Sequence, residues 1–512
     1  MEPGTNHLYA SWWTRTAPEV VYEPPPGDAE ADVVVVGGGM AGICTAWELA
    51  RAGRSVIVAE ADRIASGVTG HTSAKLSALQ GMTYTRLTAM FGPEAARLYA
   101  TSQQEAVEQI GAAADGLGID CDWERVDAFT FSLSGKREKS LRAETEAANA
   151  AGLPAEYVPP GQAPFNAARG AVRLPDQAQF HPGKFLHGLA SDIVTRGGRI
   201  FEQTRVTGLH EGSPCRLETG RGTRLTAQDV VVATHYPVFD RALLFPRMAS
   251  HRELVVAAPL PEEQDPRGMY LTDEENTRSL RTAPYQDGKR LLIVTGEKFT
   301  PGSGHVEERY DRLTAWALRH FPDAVPLYRW AAQDNWTTDG VPFVGRLHPA
   351  ARHTSVATGF GGWGLSGGMM AARLLTSLIT DGDLPWERLY DPRRLSLRRE
   401  GGALLKQQTH TARHFIGDRL TADSDSSGEN IDPGKGKVIR RGACHYAVSR
   451  DDDGTLHTLS ARCTHLGCLV QFNDAERTWD CPCHGSRFAI DGSVLQGPAT
   501  QPLKPATSVP DG

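Results

Sequence analysis

The segment from Asp32 to Glu60 constrains the fold of this chain more than any other, and it reads DVVVVGGGMAGICTAWELARAGRSVIVAE. An apolar strand runs into glycines, a helix follows, and a second apolar strand ends in a carboxylate. Gly37 permits the tight turn, Gly39 lets the backbone approach a pyrophosphate, and Gly42 lets helix and strand pack closely. The free N–H groups of the helix N-terminus suit an anion, and Glu60, about 20 residues on, suits ribose hydroxyls. This order predicts a nucleotide-binding βαβ unit for either FAD or NAD.

The length and charge of the chain exclude some classes of partner. Its 512 residues suggest about three domains of about 150 residues each. The net charge of −7 is small for this size and no Lys/Arg run occurs, so a nucleic-acid partner is not expected. No segment approaches about 18 consecutive apolar residues and the N-terminus lacks the pattern of a secretory signal, so we expect a cytoplasmic protein without a transmembrane segment.

Hydrophobic periodicity predicts how the rest of the chain is built. Helical patterns cover 87–117 and 138–152, and the apolar run 229–235 looks like a further strand of the nucleotide-binding sheet. Alternating segments between 250 and 300 indicate an antiparallel sheet. The composition of 421–437, TADSDSSGENIDPGKGK, is typical of a flexible linker, and we place the main domain boundary there.

A second strand, glycine loop and helix occur near 334–379, with DGVPFVG at 339–345 and GFGGWG at 359–364. Together with the opening fingerprint and the ATH of 233–235, these residues resemble the D-amino acid oxidase and glycine oxidase superfamily of flavoproteins, over residues 1 to about 380. The resemblance implies FAD, and the positive end of the following helix would stabilise the anionic reduced flavin. It also implies that the ADP half is held by Gly37, Gly39, Gly42 and Glu60, and that the flavin ring is approached by Asp339, Gly340, Gly359, Gly362, Gly364 and Leu365.

The loop after Glu60 holds a histidine, His71, in the sequence GVTGHTSAK. This loop resembles the flavin-contacting loop of dimethylglycine and sarcosine dehydrogenases, where a histidine at this place is joined covalently to FAD. The TSAK that follows, Thr72–Lys75, departs from those enzymes. We therefore expect His71 to contact the flavin by a hydrogen bond, with a covalent bond as the alternative.

Four of the eight cysteines lie close together near the C-terminus, in CTHLGC at 463–468 and CPCHGS at 481–486. With GPA at 497–499, these two ligand boxes resemble a Rieske iron-sulfur domain over residues 438 to about 505. A Rieske 2Fe-2S centre requires two thiolates and two imidazoles, and the residues that fit are Cys463, His465, Cys481 and His484. A zinc site with the same four ligands is the competing explanation.

Cys468 and Cys483 argue against zinc, because by the same resemblance they form a disulfide that clamps the loops over the cluster. Such a bond is unusual in a cytoplasmic protein but can survive when it is buried. The resemblance also implies that Ser486 donates a hydrogen bond to a cluster sulfide. Phe488 stands where those proteins often carry a tyrosine, so one hydrogen bond is missing and we expect a somewhat lower potential.

The two cofactors together predict the class of reaction. FAD takes two electrons as a hydride and a Rieske cluster carries one, and a chain with both resembles a small family of bacterial flavoproteins with a fused Rieske domain. We therefore expect an FAD-dependent oxidoreductase of the amine or amino-acid dehydrogenase or oxidase type, which passes electrons singly to an external acceptor protein. Two alternatives remain: an electron-transfer or redox-sensing module without a small-molecule substrate, and inward electron flow from a ferredoxin for a reduction.

Catalytic side chains are harder to predict, because the substrate can bind as a free amine and the flavin itself does the chemistry. Arg278 and Arg281, in NTRSLRTAPY, are candidate clamps for a substrate carboxylate. Lys298, in GEKF, is a candidate neighbour of the flavin that assists reaction with oxygen. A solvated position at the surface or at a strand end is the alternative for all three.

The predicted fold class is α/β: a doubly wound FAD-binding domain interleaved with an α+β antiparallel-sheet substrate domain, followed by a C-terminal all-β Rieske domain. The tryptophans of an N-terminal arm, 1–30, are expected to pack on the main body. The FAD-binding domain is predicted from 31–90, 170–245 and 334–380, the substrate domain from 91–169 and 246–333, a helical segment and linker from 381–437, and the Rieske domain from 438–512.

Overall fold

A computed structural model of the chain describes residues 10–163, 165–239, 244–395, 400–402, 405, 409 and 431–506. Within these residues, two large sheets are formed before residue 395 and two small sheets after residue 431. Most of the linker predicted at 421–437, up to residue 430, lies outside the described residues. None of the described helices has the length and apolar character needed to cross a lipid bilayer.

The N-terminal arm contains one short helix, α1 (Trp12–Thr16). Trp13 is 1% exposed, and its indole N–H donates to the carbonyl oxygen of Thr72 over 2.7 Å. The ring of Trp12 lies 5.1 Å from that of Tyr285. The tryptophans therefore pack on the main body, as the sequence predicts, although the arm is partly helical.

The first large sheet is the one that the βαβ pattern predicts. Its strands are β1 (Ala29–Val36), β2 (Val56–Ala59), β7 (Arg199–Phe201), β8 (Val206–His210), β9 (Cys215–Thr219), β10 (Arg224–Val232), β16 (Phe343–Arg346) and β17 (Thr354–Thr358). β7, β2, β1, β10 and β17 are parallel neighbours in this order. The sheet is covered by helices α2 (Met40–Arg51), α6 (Pro182–Thr195) and α8 (Gly364–Ile379). Because β10 pairs with β1, the further strand predicted at 229–235 is confirmed.

The second large sheet is antiparallel except at one parallel pair of strands. Its strands are β3 (Lys75–Leu76), β4 (Glu124–Phe131), β5 (Glu156–Val158), β6 (Ala171–Gln179), β11 (Met248–Pro261), β12 (Met269–Thr272), β13 (Arg278–Pro284), β14 (Lys289–Phe299) and β15 (Tyr328–Thr337). This confirms the antiparallel sheet predicted between 250 and 300. Helix α7 (Val306–His320) covers one face, where Tyr310 and Leu313 join the core with Leu254. The other helices of this part are α3 (Thr83–Phe91), α4 (Pro93–Gly116) and α5 (Glu138–Ala150).

Two features differ from the sequence prediction. The helical pattern at 87–117 is divided into α3 and α4, because Gly92 has a φ of +90° and Pro93 cannot continue the preceding helix. The range 170–245, assigned to the FAD-binding domain, begins with β6, which pairs with β4 in the second sheet. That pairing joins segments about 45 residues apart, which periodicity does not encode. The other domain boundaries stay a prediction.

The C-terminal part of the described chain is built from strands, as predicted. One sheet contains β18 (Gly436–Arg441), β19 (Cys444–Arg450) and β20 (Leu456–Ser460); the other contains β21 (Gln471–Asn473), β22 (Thr478–Asp480), β23 (Arg487–Phe488) and β24 (Val494–Gln496). Between α8 and this part lies the short helix α9 (Glu387–Tyr390).

Candidate functional site

In the turn between β1 and α2, backbone atoms of neighbouring segments lie too close together for a side chain to fit between them. Gly37 has a φ of +111°, and a Cβ atom there would lie 2.4 Å from the carbonyl oxygen of Ala233. A Cβ at Gly42 would lie 1.9 Å from the carbonyl oxygen of Gly37. A side chain at either position would therefore open the turn. The N-terminus of α2, with Gly39 as its N-cap, fits an anionic pyrophosphate.

Glu60 lies beside this turn, directly after β2. Its carboxylate accepts hydrogen bonds from the backbone N–H of Gly38 over 2.6 Å and of Asp62 over 2.8 Å. Burial raises the pKa of Glu60, and the two N–H donors oppose the rise. The carboxylate is thus fixed next to the turn, and its contact with ribose hydroxyls stays a prediction.

The second glycine loop leads into α8 and adjoins the first turn. Gly359, Gly361 and Gly362 have φ values of +75°, +59° and +90°, which side chains rarely adopt. A Cβ at Gly368, one turn into α8, would lie 2.8 Å from Cγ of Met40, the first residue of α2. The N-termini of the two helices are therefore close together. This loop fits the flavin end of a dinucleotide whose phosphates bind at the first turn.

The other residues expected near the flavin divide into two groups. Gly364 and Leu365 open helix α8 and belong to the glycine loop. The Asp339 side chain is 2% exposed, and its carboxylate accepts a hydrogen bond from Nε of Arg394 over 2.8 Å. Gly340 follows with a φ of +72°. The Asp339 carboxylate is committed to Arg394, and the carbonyl oxygens of Asp339 and Gly340 accept hydrogen bonds from Arg86, so a flavin contact from this turn stays a prediction.

His71 ends a short 3-10 helix, Val68–His71, that is tied to the nucleotide turn. Thr69 Oγ1 accepts a hydrogen bond from the backbone N–H of the first residue of α2 over 3.0 Å. Nδ1 of His71 lies 2.9 Å from the carbonyl oxygen of Gly67, which can only accept, so Nδ1 carries a proton. Burial lowers the pKa of His71, which favours the neutral ring and leaves Nε2 without a proton. A noncovalent flavin contact by His71 stays a prediction.

Both arginine candidates make structural contacts, although Nε of each is buried without a hydrogen-bond partner among the described residues. Arg278 forms a buried ion pair with Glu297 and is not available as a clamp. Arg281 is 1% exposed, donates to the carbonyl oxygen of Ala74 over 2.9 Å, and lies 4.9 Å from the ring centroid of Trp13. Burial lowers the pKa of Arg281 to about 9. Arg281 is thus held beneath the N-terminal arm.

Lys298, in contrast, lies beside the glycine loop. Its Nζ is 3.6 Å from the ring centroid of Trp336, and this ring packs on Gly361. Burial lowers the pKa of Lys298, and the carboxylates of Glu253 and Asp334 oppose that effect. Of the three basic candidates, Lys298 is therefore the one whose surroundings fit a flavin neighbour.

The two ligand boxes bring together the donor set that a Rieske centre requires. Cys463 and Cys481 are buried free thiols, and the ring centroids of His465 and His484 lie 5.0 Å apart. Nδ1 of His484 is buried and has no hydrogen-bond partner in the described part of the chain, as suits a nitrogen that ligates a metal. The Ser486 hydroxyl accepts a hydrogen bond from the backbone N–H of Ala499 over 3.0 Å, and its predicted bond to a cluster sulfide stays a prediction. Two thiols and two imidazoles in this arrangement fit a 2Fe-2S cluster.

Burial also sets the charge of the two imidazoles. It lowers the pKa of His465 to about 4 and the pKa of His484 to about 3, the latter with a smaller contribution from His465. Both rings are therefore neutral near pH 7. A neutral ring has the free lone pair that an iron ligand needs.

A disulfide between Cys468 and Cys483 links the two ligand boxes. The residues are separated by 15 positions in the sequence, and both are buried. The bond therefore closes the loops that carry the four candidate ligands, as the resemblance implies.

Replacing Cys468 with serine is expected to destabilise the C-terminal part by about 3 kcal/mol, the value for a cross-link that closes a loop of about 15 residues. Urea unfolding without reductant, followed by the visible circular dichroism of the cluster, measures the change. Cys444→Ser, at an exposed free thiol, is the control and should leave the midpoint unchanged. Equal midpoints for Cys468→Ser and the parent, or labelling of Cys468 and Cys483 as free thiols in unreduced protein, would contradict the expectation.

The two candidate histidine ligands, His465 and His484, pack against aromatic rings from the part of the chain before residue 395. The ring of Tyr236 lies 6.4 Å from that of His465 and 6.1 Å from that of His484, and the ring of Phe245 lies 5.7 Å from that of His484. The side-chain N–H of Gln333 donates to the carbonyl oxygen of Gly485 over 2.8 Å. Aromatic rings thus join the second ligand box to Tyr236 and Phe245, and a hydrogen bond joins it to β15 of the second sheet.

The strands that contact the ligand box also contact the glycine loop. The Ser250 hydroxyl lies 3.0 Å from the carbonyl oxygen of His484 and 2.7 Å from Oδ1 of Asn335, and it donates its one proton to either. The carbonyl oxygen of Asn335 accepts a hydrogen bond from the N–H of Gly361 over 3.0 Å. The carboxylate of Asp334 accepts one from the N–H of Gly362. β11 and β15 therefore link the second ligand box to the predicted flavin loop.

A buried ionic network fixes this arrangement. Arg252, 1% exposed on β11, donates to Oε2 of Glu476 over 2.5 Å. The same oxygen accepts from Arg487 over 2.7 Å, and Arg487 also pairs with Asp480 over 3.0 Å. The charges of two arginines and two carboxylates thus neutralise one another at the contact between β11 and the C-terminal part of the chain after residue 431. We define Arg252, Glu476, Arg487 and Asp480 as the docking network.

Sequence reasoning missed the residues of this junction: Tyr236, Phe245, Ser250, Gln333 and Asn335. Tyr236 had a local signal, because it follows directly on the ATH at 233–235. The others lie in ordinary strand or turn sequence. Phe245, Ser250 and Gln333 have partners in the ligand box more than 150 residues away, and Asn335 meets the box only through Ser250. Only the folded chain brings them together.

Comparison with known proteins finds relatives for both parts of the chain. The family model for FAD dependent oxidoreductases matches residues 32–378, and the model for the Rieske [2Fe-2S] domain matches residues 425–507. YhfW of Bacillus subtilis (strain 168), described as a Rieske 2Fe-2S iron-sulfur protein, is 34% identical over 480 residues, 93% of each chain. Gamma-glutamylputrescine oxidoreductase of Escherichia coli (strain K12) is 26% identical over 400 residues, 74% of this chain and 90% of its own.

A solved structure, glycine oxidase from Geobacillus kaustophilus, supports the fold of the first part. It superposes with a TM-score of 0.60 at 20% identity, covering 72% of this chain and 99% of its own. The predicted fold class is therefore confirmed. The family matches also confirm the predicted cofactors, FAD and a Rieske 2Fe-2S cluster, and set the zinc alternative aside.

Proposed function

Because the chain belongs to the family of FAD-dependent oxidoreductases and carries a Rieske 2Fe-2S domain, we propose that it oxidises a C–N bond of an amine or amino acid and passes the electrons singly to an external acceptor protein. When bound, FAD supplies a hydride acceptor and the cluster supplies a one-electron carrier. In this proposal the nucleotide turn with Glu60 holds the ADP half and the loop Gly359–Gly364 lies at the flavin. The cluster ligands are Cys463, His465, Cys481 and His484.

The observation that carries the proposal is the position of the two histidine ligands. Both rings lie against Tyr236, and the ring of His484 also lies against Phe245. Tyr236 and Phe245 pack in the hydrophobic cluster that contains Val34 and Val36 of β1. His484 is 3% exposed. Because residues of the same chain cover the imidazole of His484, this ring is placed to exchange electrons with the flavin of its own chain. The docking network favours a fixed contact between the Rieske domain and the rest of the chain over a Rieske domain that moves during electron transfer.

The chain's own groups provide the electrostatics for this chemistry. The N-terminus of α8, with free N–H groups, stabilises negative charge that develops next to the glycine loop. Lys298 adds a positive charge at the ring of Trp336, which packs on the same glycine loop. In this proposal these groups bind the flavin and stabilise its negative charge, and none of them has to accept a proton from a carbon atom of the substrate.

The substrate class is proposed from the relatives. Glycine oxidase and gamma-glutamylputrescine oxidoreductase both name compounds that contain a C–N bond. Both relatives align with the FAD-binding part of this chain and cover at least 72% of it. An amine or amino acid is therefore the first class to test.

Anaerobic mixing with a panel of amines and amino acids tests the proposal. At least one compound is expected to bleach the flavin absorbance of the purified holoprotein without oxygen. A panel that leaves the flavin oxidised, combined with bleaching by a reduced ferredoxin, would replace the proposal with inward electron flow. Bleaching by neither would favour a module without a small-molecule substrate.

A further inference from the structure

A loop next to the nucleotide turn is held by side chains from distant segments, an arrangement that the proposed function does not explain. It contains residues 67–72, and we define it as the His71 loop. Oγ1 of its Thr69 accepts a hydrogen bond from the backbone N–H of Met40 over 3.0 Å, and a Cβ atom at Gly39 would lie 3.2 Å from the same oxygen. Gly39 and Met40 begin helix α2, whose N-terminus fits the pyrophosphate. The His71 loop therefore contacts the phosphate-binding end of this helix.

Two side chains of the N-terminal arm donate to the backbone of the His71 loop. The buried hydroxyl of Ser11 donates to the carbonyl oxygen of Gly70. The indole N–H of Trp13 donates to the carbonyl oxygen of Thr72 over 2.7 Å, and Trp13 is itself 1% exposed. Gly70 and Thr72 stand on either side of His71 in the sequence. The arm therefore fixes the backbone before and after this histidine.

The contact between the arm and the His71 loop is close. A Cβ atom at Gly70 would lie 2.8 Å from Cγ2 of Thr14, an arm residue, and 2.3 Å from the carbonyl oxygen of Ala65. The indole N–H of Trp330, on β15, donates to the carbonyl oxygen of His71 over 2.9 Å. Three consecutive carbonyl groups of the loop thus accept hydrogen bonds from other segments, and two of the three donors belong to the arm.

The arm also has contacts that do not involve the loop. Nδ1 of His181 accepts a hydrogen bond from the N–H of Lys184, so the proton of the neutral ring is on Nε2, 2.8 Å from Oγ1 of Thr16. Burial lowers the pKa of His181 to about 3, with a smaller contribution from Lys184, so the ring is neutral near pH 7. The guanidinium of Arg281 lies 4.9 Å from the ring centroid of Trp13. The arm is therefore fixed to the main body and can position the loop.

We propose that Ser11 and Trp13 are positioning residues of the FAD site, which hold the His71 loop against the N-terminus of α2, so that FAD binds tightly only while the arm is in place. This inference goes beyond the proposed amine oxidation, because it concerns how the chain retains FAD and not what it oxidises. Since the coupling of two binding events is reciprocal, FAD in turn stabilises the docked arm by the same factor.

Trp13→Phe and Trp12→Phe form a matched pair, because the same substitution is made at neighbouring positions of α1. Trp13→Phe keeps an aromatic ring but removes the hydrogen bond to Thr72. The ring of Trp12 packs on Tyr285 and, among the described residues, donates no hydrogen bond to the loop. Quenching of FAD fluorescence on titration into the full chain freed of flavin measures the dissociation constant. We expect it to rise about 3- to 10-fold in Trp13→Phe, the range for one hydrogen bond, and to stay within about 2-fold in Trp12→Phe.

Ser11→Ala tests the second hydrogen bond and should raise the dissociation constant by a similar factor, even if Trp13→Phe folds poorly. The visible circular dichroism of the Rieske cluster should be the same in all three variants, since the cluster ligands lie in the C-terminal part. If FAD proves to be covalently bound, the rate at which added FAD becomes acid-stable is compared instead, and the same order of variants is expected. A lower urea midpoint with an unchanged dissociation constant would mean that Ser11 and Trp13 only stabilise the fold, and would overturn the inference.

Hydrogen exchange provides a test without substitutions. The backbone amides of residues 11–16 are expected to exchange more slowly in the holoprotein than in protein freed of flavin, because FAD and the docked arm stabilise one another. Exchange in this segment that FAD leaves unchanged, or equal dissociation constants for Trp13→Phe and Trp12→Phe, would contradict the positioning role of the arm.

Discussion

Cys481→Ser is expected to slow the reduction of cytochrome c by at least about 100-fold, with cytochrome c used as a one-electron acceptor protein. Losing even an outer partner of a metal site lowers metal affinity or activity by about 10- to 100-fold. Cys481 is a buried thiol in the second ligand box, and a serine hydroxyl is a poor ligand for iron. Anaerobic bleaching of FAD by the substrate should stay within about 3-fold of the parent, because the flavin loop does not include Cys481. The two rates, measured by stopped flow, separate hydride uptake from electron export.

The matched control is Cys444→Ser, which removes an exposed thiol from the same part of the chain. It should leave both rates unchanged. A Cys481→Ser protein that reduces cytochrome c at the parent rate would mean that the cluster is not on the electron route. A variant in which FAD bleaching falls as far as cytochrome c reduction would mean that the two functions cannot be separated.

Glu476→Ala is expected to destabilise the contact between the two parts of the chain by about 3–5 kcal/mol, the cost of leaving a buried charge without its partner. The carboxylate accepts from Arg252 over 2.5 Å and from Arg487 over 2.7 Å, so its loss leaves two guanidinium groups facing each other. Since Arg252 is 1% exposed, water cannot readily replace the lost oxygen. Urea unfolding followed by the cluster's visible circular dichroism measures the effect.

An exposed ion pair in the same part of the chain provides the control. Asp452 pairs with Arg477, and both side chains are largely solvated, so Asp452→Ala should cost less than about 1 kcal/mol. If Glu476→Ala and Asp452→Ala gave the same small change, the docking network would not fix the two parts together. A large loss of stability with unchanged cytochrome c reduction would separate docking from electron transfer.

The sequence predicted the nucleotide turn and the iron-ligand boxes because each is defined by local spacing. Gly37 and Gly42 are needed within one turn, where a Cβ would meet the backbone at 2.4 and 1.9 Å. The ligands of each box lie within a few residues of one another, so the donor types can be read directly. The same holds for the alternating strands between 250 and 300, whose pattern reflects one buried face.

Contacts between distant segments could not be predicted in this way. The range 170–245 was assigned to the FAD-binding domain, but β6 at its start pairs with β4 in the second sheet, a pairing that depends on register over a long separation. Arg278 and Arg281 looked alike in sequence, but one meets Glu297 and the other lies under the N-terminal arm.

Electron paramagnetic resonance after anaerobic mixing tests the central claim most directly. The holoprotein is mixed with an amine that bleaches its flavin, in the absence of oxygen and of any acceptor, and frozen. The account predicts the low-average-g signal of a reduced Rieske cluster, appearing in the parent and absent from Cys481→Ser, because electrons taken up by the flavin pass to the cluster of the same chain. Electron transfer from the flavin to the cluster would be contradicted if the flavin is bleached while the cluster stays oxidised and gives no resonance signal, although its reduction potential is one that the flavin could reach.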